Sequence, residues 1–78
     1  MFLKERIRAI LAEVLKIDDD EIQDSTSPED TSTWDSLTHV NLITALEQEF
    51  EITFDTYNIE DLDSFKKICD YVVNLTEN

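Results

Sequence analysis

The chain has 78 residues, of which 19 are acidic and only six are basic, so its formal net charge is −13. Binding to nucleic acids or to anionic membranes is disfavoured, because both need clustered cations, and no apolar run approaches the ~20 residues that span a bilayer. A single domain over residues 1–78 is expected, near the lower size limit for a core that folds unaided. The only cysteine, Cys69, excludes an internal disulfide and fits a buried apolar position.

A first amphipathic helix is predicted from about Phe2 to Lys16. Its charged residues are interleaved with apolar ones and do not precede an apolar block, which disfavours a signal peptide. We therefore expect a soluble, cytoplasmic protein, and nothing in the sequence requires more than a monomer. The apolar residues that recur at helical spacing are Leu3, Ile7, Ile10, Leu11, Val14 and Leu15.

A long loop is predicted from Asp18 to about Trp34, because the periodicity is lost there and Asp, Ser, Thr and the only proline dominate. Ile22 and Trp34 are its apolar exceptions, and we expect them to attach the loop to the core. Loops of this length are uncommon in compact domains and are often functional. This loop leads directly to Ser36.

A second helix is predicted from Ser36 to about Phe50. Either Asp35 or Ser36 can cap it, since a side-chain oxygen at that position accepts a backbone N–H of the first turn. Its inner stripe is predicted to contain Leu37, Val40, Ile43, Leu46 and Phe50.

Two further helices are predicted after Phe50. A short one from about Thr56 to Asp61 is favoured over a strand, because no second strand is available to pair with it. Ser64 can cap the last helix through its hydroxyl. The fold class is therefore all-α: a small four-helix bundle with one short third helix and a long loop between helices 1 and 2. The inner residues of the last helix are predicted to be Phe65, Ile68, Val72 and Leu75.

Catalysis by this chain alone is disfavoured. A nucleophilic serine needs a base and an orienting group; His39 lies one helical turn after Ser36, but no nucleophile-elbow motif surrounds the serine, and a bundle this small is expected to have little room for a substrate pocket. We expect His39 to be a solvated surface residue, with contact to a partner as the second interpretation. No metal site is predicted, because the acidic loop lacks both the spacing and the glycine of a calcium loop. The absence of glycine also disfavours phosphate-binding loops.

The segment "WDSLTHVNLITALEQEFEI" resembles the prosthetic-group attachment segment of acyl carrier proteins and of the related peptidyl carrier domains. The triplet Asp-Ser-Leu at 35–37 matches the attachment triplet, and Leu-Glu at 46–47 with Phe-Glu-Ile at 50–52 matches the end of the segment. The order of the elements, the acidity and the length extend the similarity over essentially the whole chain.

The resemblance implies that Ser36 carries 4′-phosphopantetheine, donated by coenzyme A and installed by a separate phosphopantetheinyl transferase that uses a divalent cation. The thiol of this arm would hold an acyl or aminoacyl group as a thioester. Loading and transferring enzymes would meet the acidic surface with basic patches, and the chain itself would have no catalytic residues. The positions that the resemblance assigns to partner contact are Asp35, Leu37, Val40 and Glu47, although core burial of Val40 is an equally good interpretation.

The sequence also departs from the family pattern. Thr33 replaces a glycine, the bulky Trp34 precedes the triplet, and Asn41 and Gln48 stand where carriers of fatty-acid synthesis usually have acids. These departures favour a specialised carrier in lipid, cell-envelope, polyketide or aminoacyl chemistry over the housekeeping one. The alternative hypothesis is an acidic helical interaction module without a prosthetic group, in which Ser36 is only a helix cap. A serine–histidine hydrolase is the third.

Overall fold

The described part of the chain contains three α-helices: α1 at Leu3–Leu15, α2 at Ser36–Phe50 and α3 at Phe65–Thr76. The structure is a computed structural model, and it describes residues 3–55 and 59–76. α1 packs against both α2 and α3. The predicted all-α class is confirmed, since no strand occurs in these two described ranges. None of their helices combines the length and the apolar character needed to cross a bilayer.

The predicted count of four helices is not confirmed. Where a short third helix was expected, the described residues form a single 3-10 turn at Ile59–Asp61, closed by the Leu62 N–H donating to the Ile59 carbonyl at 3.2 Å. Thr56, the expected start of that helix, lies outside the described residues. Phe54 and Leu62, which precede and follow this turn in the sequence, are both buried, so the chain is anchored in the core on each side of it.

One apolar cluster joins the three helices, the long loop and the segment between α2 and α3. Burial of this cluster is the main favourable contribution to folding, because each apolar side chain removed from water contributes on the order of 1.5–3 kcal/mol. The buried members are Ile7, Leu11, Leu15, Ile22, Trp34, Leu42, Ile43, Leu46, Phe54, Leu62, Phe65, Ile68, Cys69 and Val72.

The predicted inner stripe of α2 is wrong at its first two positions. Leu37 is 72% exposed and Val40 is 56% exposed, whereas Leu42, which the stripe omitted, is fully buried. Each residue advances an α-helix by about 100°, so repeated steps of three drift around its surface. Leu37 therefore lies roughly opposite Leu46, and core burial of Val40 is excluded.

Both α1 and α2 end in a left-handed residue although the chain contains no glycine. Lys16 has φ 59° and Glu51 has φ 55°. In each case the following N–H bonds back to a carbonyl of the last turn, from Ile17 to Ala12 at 3.1 Å and from Ile52 to Glu47 at 3.2 Å. This is the Schellman arrangement, which satisfies carbonyls that the helix itself leaves unpaired.

The long loop is attached to the core and to the start of α3. Ile22 and Trp34 are 3% and 2% exposed, which confirms their predicted role. Loop carbonyls also accept N–H groups from the first turn of α3, with Phe65 bonding to Thr26 at 3.0 Å. Ser64 caps the same helix as predicted, since its hydroxyl accepts the Lys67 N–H at 3.2 Å. The loop is thus held along its length and delivers Trp34 to a defined place.

Cys69 is buried on α3, as the sequence predicts. Its burial raises the pKa of the thiol to about 11. A thiol in this state is protonated at neutral pH and is a poor nucleophile, so Cys69 is a core residue and not a reactive one.

Truncation of the buried and the exposed leucine of α2 should have opposite consequences. Leu46→Ala should lower the free energy of unfolding by about 2–5 kcal/mol, because it leaves a cavity in the core. Leu37→Ala removes the same atoms from the surface and should change it by no more than about 0.5 kcal/mol. Urea unfolding followed by circular dichroism measures both. Equal losses in the two variants would contradict the orientation of α2 described above.

Candidate functional site

Ser36 is the first residue of α2, and its side chain is exposed. The sequence left open whether Asp35 or Ser36 caps the helix, and the structure assigns the cap to Asp35. Among the described residues the Ser36 hydroxyl has no hydrogen-bond partner. Its oxygen is therefore accessible and is not needed to hold the helix.

Asp35 has extended backbone, with φ −104° and ψ −175°, and its Oδ1 accepts the Thr38 N–H at 2.9 Å. This hydrogen bond to the Thr38 backbone is the main cause that lowers the pKa of the Asp35 carboxyl below its ordinary value of 3.8. The carboxylate therefore remains ionised at the positive end of the helix dipole, where negative charge is stabilised. Its direction toward Thr38 also fixes the charge nearest to Ser36.

His39 connects the residue before the helix to the segment that precedes α3. The Trp34 indole Nε1–H donates to His39 Nδ1 at 2.9 Å, and His39 Nε2 lies 2.7 Å from the Ile59 carbonyl oxygen. The two rings also stack, with centroids 6.0 Å apart. The prediction that His39 is a solvated surface residue is wrong, because its ring is half-buried between these two partners.

A signal for the first of these contacts was present in the sequence. The only tryptophan and the only histidine flank the triplet at 35–37 and are five residues apart across a helix start. The second contact could not be found in this way, because Ile59 lies 20 residues further along the chain.

Beside Ser36 lies an open cavity of about 350 Å³. Ser36 itself lines it, together with Trp34 and His39. A volume of this size is at the lower end of the range for small-molecule sites. The remaining lining residues are Pro28, Asp35, Glu60 and Asp63.

The four residues predicted to contact partners fall into two groups. Asp35, Leu37 and Val40 are exposed on the first two turns of α2 or directly before it. Glu47 lies near the other end of the helix and is half-buried. Its Oε2 accepts the Phe54 N–H at 2.8 Å, so this carboxylate already holds the segment that follows the helix.

The described residues of the site do not form an assembled catalytic arrangement. Both ring nitrogens of His39 are directed to Trp34 and Ile59, so neither is placed to take the Ser36 proton. Among the residues that the structure describes, no group of three or more His, Cys, Asp or Glu side chains is arranged to hold a metal ion. What the site offers is one accessible hydroxyl at a helix N-terminus.

Comparison with known proteins agrees with this description. A family model described as "Phosphopantetheine attachment site" matches residues 5–72. The solution NMR structure of the holo acyl carrier protein from Geobacter metallireducens is similar, with a TM-score of 0.86 and 28% sequence identity. The match covers 99% of this chain and 88% of that one. The similarity therefore extends over both the helices and the site.

The cap at Asp35 should make a pH-dependent contribution to stability. A carboxyl whose pKa is lowered on folding stabilises the native state above its unfolded-state pKa, and this contribution is lost as the pH falls through the folded-state pKa. Asp35→Asn keeps a capping oxygen without the charge. Wild type should therefore have the higher Tm at pH 7, by a few degrees, and the difference should shrink below about pH 3.8. Thermal melts of both proteins between pH 2.5 and 7, the range of carboxylate titration, measure it; a constant difference would contradict the assignment.

Proposed function

Because the chain belongs to the phosphopantetheine attachment-site family, we propose that Ser36 is the residue that bears its 4′-phosphopantetheine arm. The chain is a carrier protein that holds its cargo as a thioester on this covalently attached arm, and it is not an enzyme. The observation that carries the assignment to Ser36 is its position as an exposed serine at the first residue of α2, with a hydroxyl that the fold does not use.

The electrostatics of the helix start support the assignment. The first N–H groups of a helix have no partner within the helix, and the aligned peptide dipoles place partial positive charge there. A phosphodiester on Ser36 would therefore stand where negative charge is stabilised. The Asp35 carboxylate is the opposing contribution, and its hydrogen bond to Thr38 directs it to the first turn.

The modification is a group transfer in which Ser36 is the acceptor. Its oxygen forms a bond to the phosphorus that bears pantetheine in coenzyme A, and the bond from that phosphorus to the bridging pyrophosphate oxygen breaks. The products are the serine phosphodiester and 3′,5′-ADP, and the hydroxyl proton passes to a base of the transferase. The base has to come from the transferase because His39 is engaged by Trp34 and Ile59.

The residues present fit the arm. Ser36 opens onto the cavity of about 350 Å³, so its oxygen can be esterified without displacing a packed side chain. When bound, the arm supplies the thiol that forms the thioester. The buried Cys69, whose pKa is raised to about 11, does not compete with that thiol at neutral pH.

Partner enzymes are part of this function: a transferase that installs the arm, and enzymes that load and remove the acyl or aminoacyl group. We assign their contact surface to Asp35, Leu37 and Val40, which surround Ser36 and are exposed. Exposed large apolar side chains beside a charged group are suited to a partner interface. Glu47 belongs to the edge of this surface, and its carboxylate also accepts the Phe54 N–H.

The pathway in this proposal is a specialised one. Asn41 and Gln48 are exposed on α2, so the helix presents neutral groups where fatty-acid-synthesis carriers usually present acids. Its partners would then recognise the apolar pair Leu37 and Val40 more than an acidic row. A monomeric, cytoplasmic carrier completes the proposal, and a lone buried thiol suits a reducing compartment.

Intact-protein mass spectrometry tests the attachment residue. Wild-type protein incubated with coenzyme A, magnesium and a broad-specificity phosphopantetheinyl transferase should gain the mass of one phosphopantetheine. Ser36→Ala should gain none, and Ser32→Ala, which removes an exposed hydroxyl from the preceding loop, should be modified like wild type. Modification of Ser36→Ala would place the arm elsewhere. Failure of wild type with several transferases would favour the acidic interaction module.

Loss of the exposed leucine should weaken partner binding without unfolding the protein. Leu37→Ala should raise the half-saturating carrier concentration for the transferase about tenfold, because anchor residues dominate interface energies. Thr53→Ala, an exposed substitution beyond the far end of α2, is the control and should have no effect. Equal kinetics for Leu37→Ala and wild type would remove Leu37 from the contact surface.

A further inference from the structure

We propose that His39 is a positioning residue for the modification of Ser36: it fixes the serine oxygen by tying the loop before α2 to both the helix and the segment before α3. This inference rests on the proposed attachment of the arm at Ser36. His39 does not touch the reacting atoms in this proposal. It acts through Trp34 on one side and through Ile59 on the other.

The residues around Ser36 form a small closed unit. The Trp34 indole donates to His39 Nδ1 at 2.9 Å, and the backbone N–H of Thr38 donates to the Asp35 carboxylate at 2.9 Å. The backbone N–H of His39 donates to the Asp35 carbonyl at 2.8 Å. Each of these hydrogen bonds joins a residue before Ser36 to a residue after it. Only the first is made between two side chains, and it is the one that reaches the loop.

The hydrogen bonds fix the tautomer of the imidazole. An indole N–H can only donate, so His39 Nδ1 must accept and carries no proton. The proton of the neutral ring is therefore on Nε2, which donates to the Ile59 carbonyl at 2.7 Å. Nδ1 faces a donor and Nε2 faces an acceptor. The ring therefore satisfies both partners in one orientation.

The partners of the ring are themselves held. Trp34 is 2% exposed, and its backbone N–H donates to the Thr31 carbonyl at 3.0 Å. Ile59 lies in the 3-10 turn that precedes the buried Leu62. His39 thus links two anchored segments across the start of α2. Without it the indole N–H would be buried and unpaired, a state that proteins avoid, so the loop next to Ser36 would rearrange.

The kinetic consequence follows from the geometry of the transfer. In-line attack needs the serine oxygen in a narrow range of positions, and small displacements lower the rate strongly. Of the three contact residues, Leu37 and Val40 lie on the helix itself and do not depend on the His39 ring for their position, and Asp35 keeps its own hydrogen bond from the Thr38 N–H. Loss of the His39 hydrogen bonds should therefore lower the rate of phosphopantetheine transfer within the bound complex. The affinity of the transferase for the carrier should stay nearly unchanged.

Three substitutions separate the two hydrogen bonds. His39→Leu removes both. His39→Asn keeps an oxygen near the place of Nδ1, which can accept from Trp34, and His39→Gln keeps an amide N–H near the place of Nε2, which can donate to Ile59. Thr53→Leu, an exposed site beyond the far end of α2, is the matched control for introducing leucine.

The experiment is single-turnover modification of each protein at increasing transferase concentration, with a fixed saturating coenzyme A and magnesium. The maximal rate of His39→Leu should fall about tenfold or more, with the half-saturating transferase concentration within about twofold of wild type. His39→Asn should regain most of the rate, because it restores the bond to Trp34. The ¹H–¹⁵N resonance of the single indole reports whether that bond is present in each variant.

Each outcome decides the proposal. A maximal rate of His39→Asn well above that of His39→Gln, together with a wild-type-like indole resonance in His39→Asn, supports it, and this comparison holds even where His39→Leu is too unstable to assay. A raised half-saturating concentration with an unchanged maximal rate would make His39 a partner contact and overturn it. Wild-type rates in all variants would also overturn it while leaving the attachment at Ser36 intact. Failure of wild type itself to be modified would overturn the attachment and the inference together.

Discussion

The burial of Trp34 is the interaction on which the site depends. The loop before α2 has about twenty residues and almost no regular structure. Its last residue must be held in a fixed position if α2 is to begin with a solvent-exposed Ser36. Trp34 provides that end point, because its ring is in the core while the next three residues are exposed. Its indole N–H then requires a buried acceptor, which His39 supplies. The apolar core and the polar contacts of the site thus meet in one side chain.

Most of the fold could be predicted from the sequence because it is local. Over the described residues the extents of α1 and α2 follow from helical periodicity, and the cap at Ser64 follows from residue type and position, whereas residue type left Asp35 and Ser36 as alternatives at the start of α2. The faces of α2 were predicted less well, since a stripe with steps of three drifts around the helix and placed Leu37 inside. A pattern that counted the angle of each residue would have selected Leu42.

The contacts that hold the site were outside the reach of local patterns. The bond from His39 to Ile59 joins residues 20 apart, and the bond that the Phe54 N–H donates to the Glu47 carboxylate forms across the left-handed residue Glu51. The short helix predicted between α2 and α3 would have attached this part of the chain to the bundle by its own packing. In the structure, the side chains of His39 and Glu47 make that attachment. The surface ion pairs have a smaller part. Lys66–Asp70 and Lys67–Asp63 are exposed i,i+4 pairs, and such pairs add little to stability.

The two left-handed helix ends are occupied by Lys16 and Glu51, because the chain contains no glycine. A sequence without glycine has fewer backbone conformations available when unfolded, so it loses less entropy on folding. The cost is local strain at Lys16 and Glu51, where a side chain occupies a conformation that glycine adopts without penalty. Glu51 is a full helix length away from Ser36. Substitutions at these helix ends can therefore change the thermal stability of the carrier without changing the surface that its enzymes recognise.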